Sequence, residues 1–150
     1  MAPLSKEGLA AFLAEPLIAR LGVVTTEGDP HVVPIWYEWD GTGVVIAVRA
    51  KARFVPYLRA RPRACVSIAE DRDQLRRVLI TGPVEVLRDE APDRGEWLER
   101  SRAICRRYLG DAAGDDYQDE TVDQLCIWFR IVAEQIVSWD SPTWHPRYLV

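Results

Sequence analysis

The sequence predicts a mainly β (α+β) fold: a small, six-stranded antiparallel barrel with a few peripheral helices. Three observations carry that expectation. Six short runs rich in β-branched and aromatic residues are spread along a chain of 150 residues. Turn chemistry separates several of them, and helical patterns are few. Gly82-Pro83 interrupts the longest run, where a strand of a closing sheet would bend. A layered α/β fold would instead alternate strands with helices.

In chain order, Ser5 is placed to cap a first helix through about Ala14, with Leu9, Phe12 and Leu13 on one stripe and Pro16 closing it. Ile18 to Thr26 reads as the first strand and Glu27-Gly-Asp-Pro30 as the turn after it. His31 to Trp39 is the second strand. It contains Pro34, which cannot donate to a ladder and so marks an edge or a bulge. Val44 to Val48 is the third, and Asp40-Gly-Thr-Gly43 supplies hairpin chemistry between them. These two runs are expected to pair antiparallel and complete a three-stranded meander. Val44 to Val48 is apolar on both faces, which asks for cover on both.

Pro56 suits a first helical position and Pro62 ends the run, so Tyr57 to Arg61 is a helix of little more than one turn. Ala64 to Ala69 is the fourth strand, Glu70-Asp-Arg-Asp73 a water-facing loop, and Val78 to Val86 the fifth strand. Asp93 to Leu109 is helical, with Trp97, Ser101, Ile104 and Tyr108 on one stripe and Gly110 at its C-terminal turn. Asp111 to Asp123 is acidic, contains Gly114 and lacks a period, so it reads as a mobile loop. Leu125 to Val132 alternates as the sixth strand, which resumes at Gln135 to Trp139.

The length fits a single domain over 1–150, able to bury ~70% of the surface of its unfolded chain. Cys65, Cys105 and Cys126 form no CxxC pair and read as thiols of a reducing cytoplasm. His31 and His145 are the only histidines and neither has a neighbouring ligand at helix spacing, so no metal is expected. No run approaches the ~20 apolar residues of a membrane span, and the chain is expected to be soluble. Net charge -4 argues against nucleic acid as the main partner. Positive charge is nonetheless concentrated: Gly41 to Ala69 holds six cations and no acid. Arg49, Lys51 and Arg53 lie just ahead of the short helix, where an anion such as a phosphate is welcomed by the helix dipole. A solvated basic loop is the plainer reading of that run. Ser67 and Cys65 have no histidine or carboxylate placed to activate them, so a hydrolase is not expected.

The order of these segments resembles a known family. It runs helix, strand, Gly28-Asp-Pro30 turn, Pro34-Ile-Trp-Tyr37 strand, short strand, basic loop, Leu58-Arg-Ala-Arg-Pro62-Arg-Ala-Cys-Val66 strand entry and the Val78 strand, with Ser138-Trp-Asp140 and Trp144-His-Pro-Arg-Tyr-Leu149 in the tail. Over nearly the whole chain this is similar to the pyridoxamine 5'-phosphate oxidase-like split barrels, which include flavin and deazaflavin oxidoreductases. The resemblance implies a split barrel that forms a homodimer and binds FMN, or the deazaflavin F420, at the dimer interface. It implies an oxidoreductase moving hydride or electrons to or from a small organic substrate, or alternatively a non-catalytic cofactor-binding protein. It places Arg53 on the phosphate-binding position, counted back from Pro62, with Lys51 as the competing match and Arg49 beside them. Pro34, Ile35, Trp36, Tyr37, Ala47 and Val48 would line the ring. Trp139 and Arg147 would complete the site from the partner subunit, and His145 would stand at the substrate mouth. Two departures stand out: the basic loop is longer and contains Pro56, and Thr143 or Trp144 replaces an arginine that holds phosphorylated pyridoxine. Vitamin B6 oxidation itself is therefore not expected.

Overall fold

The computed structural model describes residues 3–70 and 76–141. The chain runs α1 (Lys6–Ala14), β1 (Ala19–Val24), β2 (Pro30–Ile35), β3 (Glu38–Trp39), β4 (Gly43–Arg49), α2 (Val55–Ala60), β5 (Arg63–Ala69) and β6 (Arg77–Pro92). It continues through α3 (Glu96–Leu109), α4 (Asp111–Thr121), β7 (Leu125–Val132) and β8 (Gln135–Trp139). Every pairing is antiparallel, in the order β2-β1-β5-β6-β7-β4-β3, with β8 also beside β6. The sheet curls because β6 belongs to both halves: Arg77 to Pro83 pairs with β5, and Val84 to Pro92 pairs with β7.

The hand-over falls at Gly82-Pro83, the corner expected from the sequence. A Cβ on Gly82 would overlap the Val132 carbonyl oxygen, so only glycine lets the two backbones pass. The register irregularities lie further on, after Val86 and after Arg88. The inner face of the curl holds Phe12, Leu21, Ile46, Val66, Ile80 and Phe129, among other fully or nearly fully buried side chains.

There are eight strands rather than six, because two expected runs are broken. In the His31 to Trp39 run, β2 stays on β1 (Val23 opposite His31, Ala19 opposite Ile35), and only β3 pairs with β4. Between them Tyr37 turns inward. Its ring is fully buried and its hydroxyl donates to the Leu13 carbonyl at 3.0 Å. Its own carbonyl accepts from Arg107 at 3.1 Å. Burial pushes the Tyr37 phenol up to about 12. The expected hairpin is thus two residue pairs long and the three-stranded meander does not form. The long neighbour of β4 is β7, over seven residue pairs from Gly43–Val132 to Arg49–Cys126. β4 has the double cover its sequence asks for. Val44, Ile46 and Val48 face the main core, while Val45 packs with Trp128 and Ile104 beneath α3. The last run breaks at Ala133 and Glu134, where β7 gives way to β8.

Asp111 to Asp123 is not a mobile loop: Asp111 to Thr121 is α4. Gly110, at φ +85°, turns the chain directly from α3 into α4. Gly114 lets the two helices close, since a Cβ there would stand 2.6 Å from the Arg106 backbone nitrogen. Arg102 and Arg106 then reach Asp115 at 3.1 and 2.7 Å, and Arg102 reaches Asp119 at 2.8 Å. Of the Glu70 to Asp73 loop only Glu70 lies within the described residues, where it pairs with Arg76 at 2.8 Å. Among the described residues no helix is long and apolar enough to cross a membrane.

Gly82→Ala is expected to destabilise the protein by on the order of 3 kcal/mol, the upper range for overpacking against rigid neighbours. Denaturant unfolding checks it, and an unchanged midpoint would mean that the two backbones do not meet at this corner.

Candidate functional site

Strand alternation sends Ile46 and Val48 to the core side of β4 and Ala47 and Arg49 to the side beneath α3. On β7, Trp128 lies opposite Ala47 and Cys126 opposite Arg49. α3 lies over this face through Trp97 and Ile104, and the Trp97 and Trp128 rings meet at 5.2 Å. The Trp128 indole donates to Asp93 at 2.9 Å, which fixes its orientation. α4 closes one end. What remains is a hollow of about 260 Å³ walled by β4, the segment after it, the β2–β3 break, α3 and α4.

Its walls are mostly apolar, and Trp36 is the largest of them. Trp36 stacks on Tyr108 at 5.1 Å with a 4° interplanar angle, and Tyr117 meets its edge at 5.9 Å. Tyr108 is held in turn by donating to the Leu17 carbonyl at 2.7 Å. Polar groups are few and specific. Arg49 donates to the Cys126 sulfur at 3.2 Å and to the Tyr117 hydroxyl at 3.5 Å, both neutral partners. Among the described residues no carboxylate forms an ion pair with it. Ser101 donates to Gln118 Oε1 at 2.6 Å and the Cys105 thiol to the same oxygen at 3.6 Å. Burial pushes the Cys105 and Cys126 thiols up. Both are therefore protonated at neutral pH and are poor nucleophiles.

The residues singled out from sequence divide among several places. Ile35, Trp36, Ala47, Val48 and Arg49 come together in the hollow. Pro34 lies one step outside, in a shallow depression with Ile18 and Tyr117. Tyr37 does not line the hollow: it is a core residue, for the reason given above. Lys51 and Arg53 turn the other way, into an adjoining groove with Pro56, Arg59 and Glu90. The basic run is thus split, with Arg49 beside the apolar walls and the next two cations in the groove. Trp139 lies on β8, opposite Arg77 in the other half of the sheet, its ring 5.2 Å from the Arg77 guanidinium. His145 and Arg147 lie outside the described residues. Tyr117 and Gln118 are not legible as site residues, because the acidic Asp111 to Asp123 segment carries no apolar period that would announce their helix.

Comparison with known proteins places this geometry in context. A family model described as pyridoxamine 5'-phosphate oxidase matches residues 5–140. Among solved structures, a conserved hypothetical protein from Mycobacterium tuberculosis is similar at 26% identity and a TM-score of 0.73, over 91% of this chain and 85% of its own. An F420 reductase is similar at 23% identity and a TM-score of 0.62, over 85% of this chain and 94% of its own. The heme storage protein HutZ from Vibrio cholerae is similar at 18% identity and a TM-score of 0.63, over 91% of this chain and 94% of its own. No curated protein matches.

The docking of α4 is expected to be acid-sensitive. Hydrogen bonds from Arg106 and Arg102 depress the Asp115 carboxyl from its ordinary 3.8 to about 2. A depressed acid contributes stability above its unfolded value and loses it as pH falls through the folded one. Helical circular dichroism should therefore decline between pH 3.8 and 2 while the sheet signal persists. A helical signal constant through that window would show that these ion pairs do not hold α4.

Proposed function

Because the chain belongs to the pyridoxamine 5'-phosphate oxidase family, we propose that it binds a flavin-type cofactor and transfers hydride or electrons to or from a small organic substrate. FMN is the cofactor favoured, with the deazaflavin F420 as the alternative. One observation carries the reading: Trp36, Ala47, Val48 and an Arg49 that pairs with no carboxylate among the described residues share one hollow. Beside it runs a groove bearing Lys51 and Arg53. Flat apolar walls with a cation among them suit a planar ring that has hydrogen-bond acceptors on one edge. The adjoining pair of cations suits a phosphate tail, which supports Lys51 and Arg53 together as its partners.

When bound, a flavin supplies the redox chemistry itself. The residues of the chain hold the ring, exclude water from one of its faces and set the charge around it. A homodimer is part of the same proposal. Val32, Val24 and Ile18 near the β1–β2 edge, and Ile136 and Val137 on β8, are exposed apolar side chains that a second copy would cover. Trp139 and Arg147 would then serve the partner's site, with His145 at the substrate mouth. Three free cysteines support a reducing, cytoplasmic setting. A cofactor-binding protein without turnover is the second reading, which reduction experiments separate from the first.

The visible spectrum of the purified protein, with mass spectrometry of the released ligand, tests the cofactor. FMN or F420 is expected, and heme alone or no chromophore after titration with either flavin would contradict the proposal. Reduction by NAD(P)H or reduced F420, followed by reoxidation with oxygen or a quinone, tests turnover. Lys51→Ala with Arg53→Ala is expected to weaken FMN binding by on the order of tenfold or more, the loss of charge-assisted bonds to phosphate. Riboflavin, which lacks the phosphate, should bind the double variant as it binds the parent. Equal FMN affinity in both proteins would remove these cations from the site.

A further inference from the structure

Two polar side chains in the described residues are almost wholly buried: Asp93 and Gln118, each 3% exposed. Asp93 is satisfied by Arg88 at 2.5 Å and by the Trp128 indole at 2.9 Å. Gln118 is satisfied on one branch only. Its Oε1 accepts from the Ser101 hydroxyl at 2.6 Å and from the Cys105 thiol at 3.6 Å. Its Nε2 carries two N–H groups that have no partner among the described residues. The side chain lines the hollow.

The Nε2 atom is not sealed in packed protein: the buried side-chain nitrogens and oxygens without a partner among the described residues are Arg77 Nε, Arg88 Nε and Arg107 Nε. Gly114 and the Asp115 ion pairs seat α4 on α3, which places Gln118 at the wall of the hollow. The second donor facing the hollow is Arg49, whose recorded partners are a thiol and a phenol. Two donor groups therefore line one apolar hollow, and among the described residues no acceptor is matched to either Gln118 N–H.

We infer that Gln118, together with Arg49, reads the hydrogen-bond-accepting edge of the ring that occupies the hollow, so that α4 is the element selecting the ligand. The chemical class follows from the lining. It is a flat heteroaromatic with neighbouring carbonyl or imide acceptors, and a plain aromatic hydrocarbon is disfavoured because it offers the Gln118 N–H groups no acceptor. Ser101 is a positioning residue, holding the amide with its N–H groups toward the ligand. This rests on the flavin reading and adds to it which residues address the ring rather than the tail. Donors at that edge also favour the charge that builds on the ring upon reduction.

The test uses lumichrome, the ring system without its tail, alongside FMN, each titrated by fluorescence quenching into the parent protein, Gln118→Met and Ser101→Ala. Loss of the Gln118 donors should raise both dissociation constants by about tenfold, the effect of one hydrogen bond to a buried acceptor. Ser101→Ala should raise them by a few-fold, about the effect of a less ordered amide. The midpoint potential of bound FMN should fall in Gln118→Met. Unchanged affinities in both variants, or in Ser101→Ala alone should Gln118→Met not fold, would overturn the inference and leave the cofactor reading standing. A parent protein that binds neither FMN, F420 nor lumichrome would overturn both.

Discussion

The passage of β6 past the Val132 carbonyl at Gly82 is the constraint on which the rest of the structure depends. Because no side chain intervenes there, one sixteen-residue strand can serve β5 with its first half and β7 with its second. That hand-over curls the sheet and brings β7 against β4. It also frees the outer face of the β4–β7 pair for α3 to lie across. The hollow exists because α3 spans this face without filling it. A flat continuation of β6 would carry β7 away from the Ala47–Arg49 segment, and its walls would not converge.

A second level of organisation is polar and holds the walls in place. The Arg107 guanidinium, lying 4.7 Å over the Tyr37 ring, donates to the carbonyls of Leu13, Glu15 and Tyr37. It thereby ties the end of α1 and the β2–β3 break to α3. Carbonyls at a helix end have no intrahelical partner, and a cation is well suited to satisfy them. Trp36 follows from this clamp: with its neighbour Tyr37 drawn inward, the indole is left outside, stacked on Tyr108. Arg88 and Asp93 do the same for Trp128, with Arg100 over both the Trp97 and Trp128 rings at about 5 Å. α4, by contrast, is held by ion pairs at partly exposed positions, whose strength falls with salt and acid. The rigid walls and the more easily loosened one thus differ in the kind of interaction that fixes them.

Much of this was legible in the sequence because the cause was local. Ser5 caps α1, accepting from the Gly8 N–H at 3.0 Å, and Pro56 opens α2. The doubly apolar Val44 to Val48 run is a strand covered on both faces, and Gly82-Pro83 is the corner. The illegible parts have distant causes. The break at Trp36–Tyr37 is imposed by Leu13 and Arg107, far away in the chain. α4 has little apolar content, and its buried positions are Gly114 and Gln118, a spacing of four that hydrophobicity does not register. Its acids acquire a pattern only opposite Arg102 and Arg106. The basic run is distributed by the end of the strand: Arg49, still in β4, lines the hollow, Lys51 and Arg53 after it line the groove, and Arg49 and Lys51 share a further depression with Glu90.

The proposed seating of a flavin ring in the hollow is tested most directly by backbone and indole NMR signals followed during titration with FMN. The Trp36 indole and the amides of Ala47, Val48 and Arg49 are expected to shift together, saturably. The Trp128 indole, held by Asp93 behind the wall, should move little. Shifts confined to the open face of β1, β2 and β5, or a Trp36 signal unchanged at saturation, would contradict it.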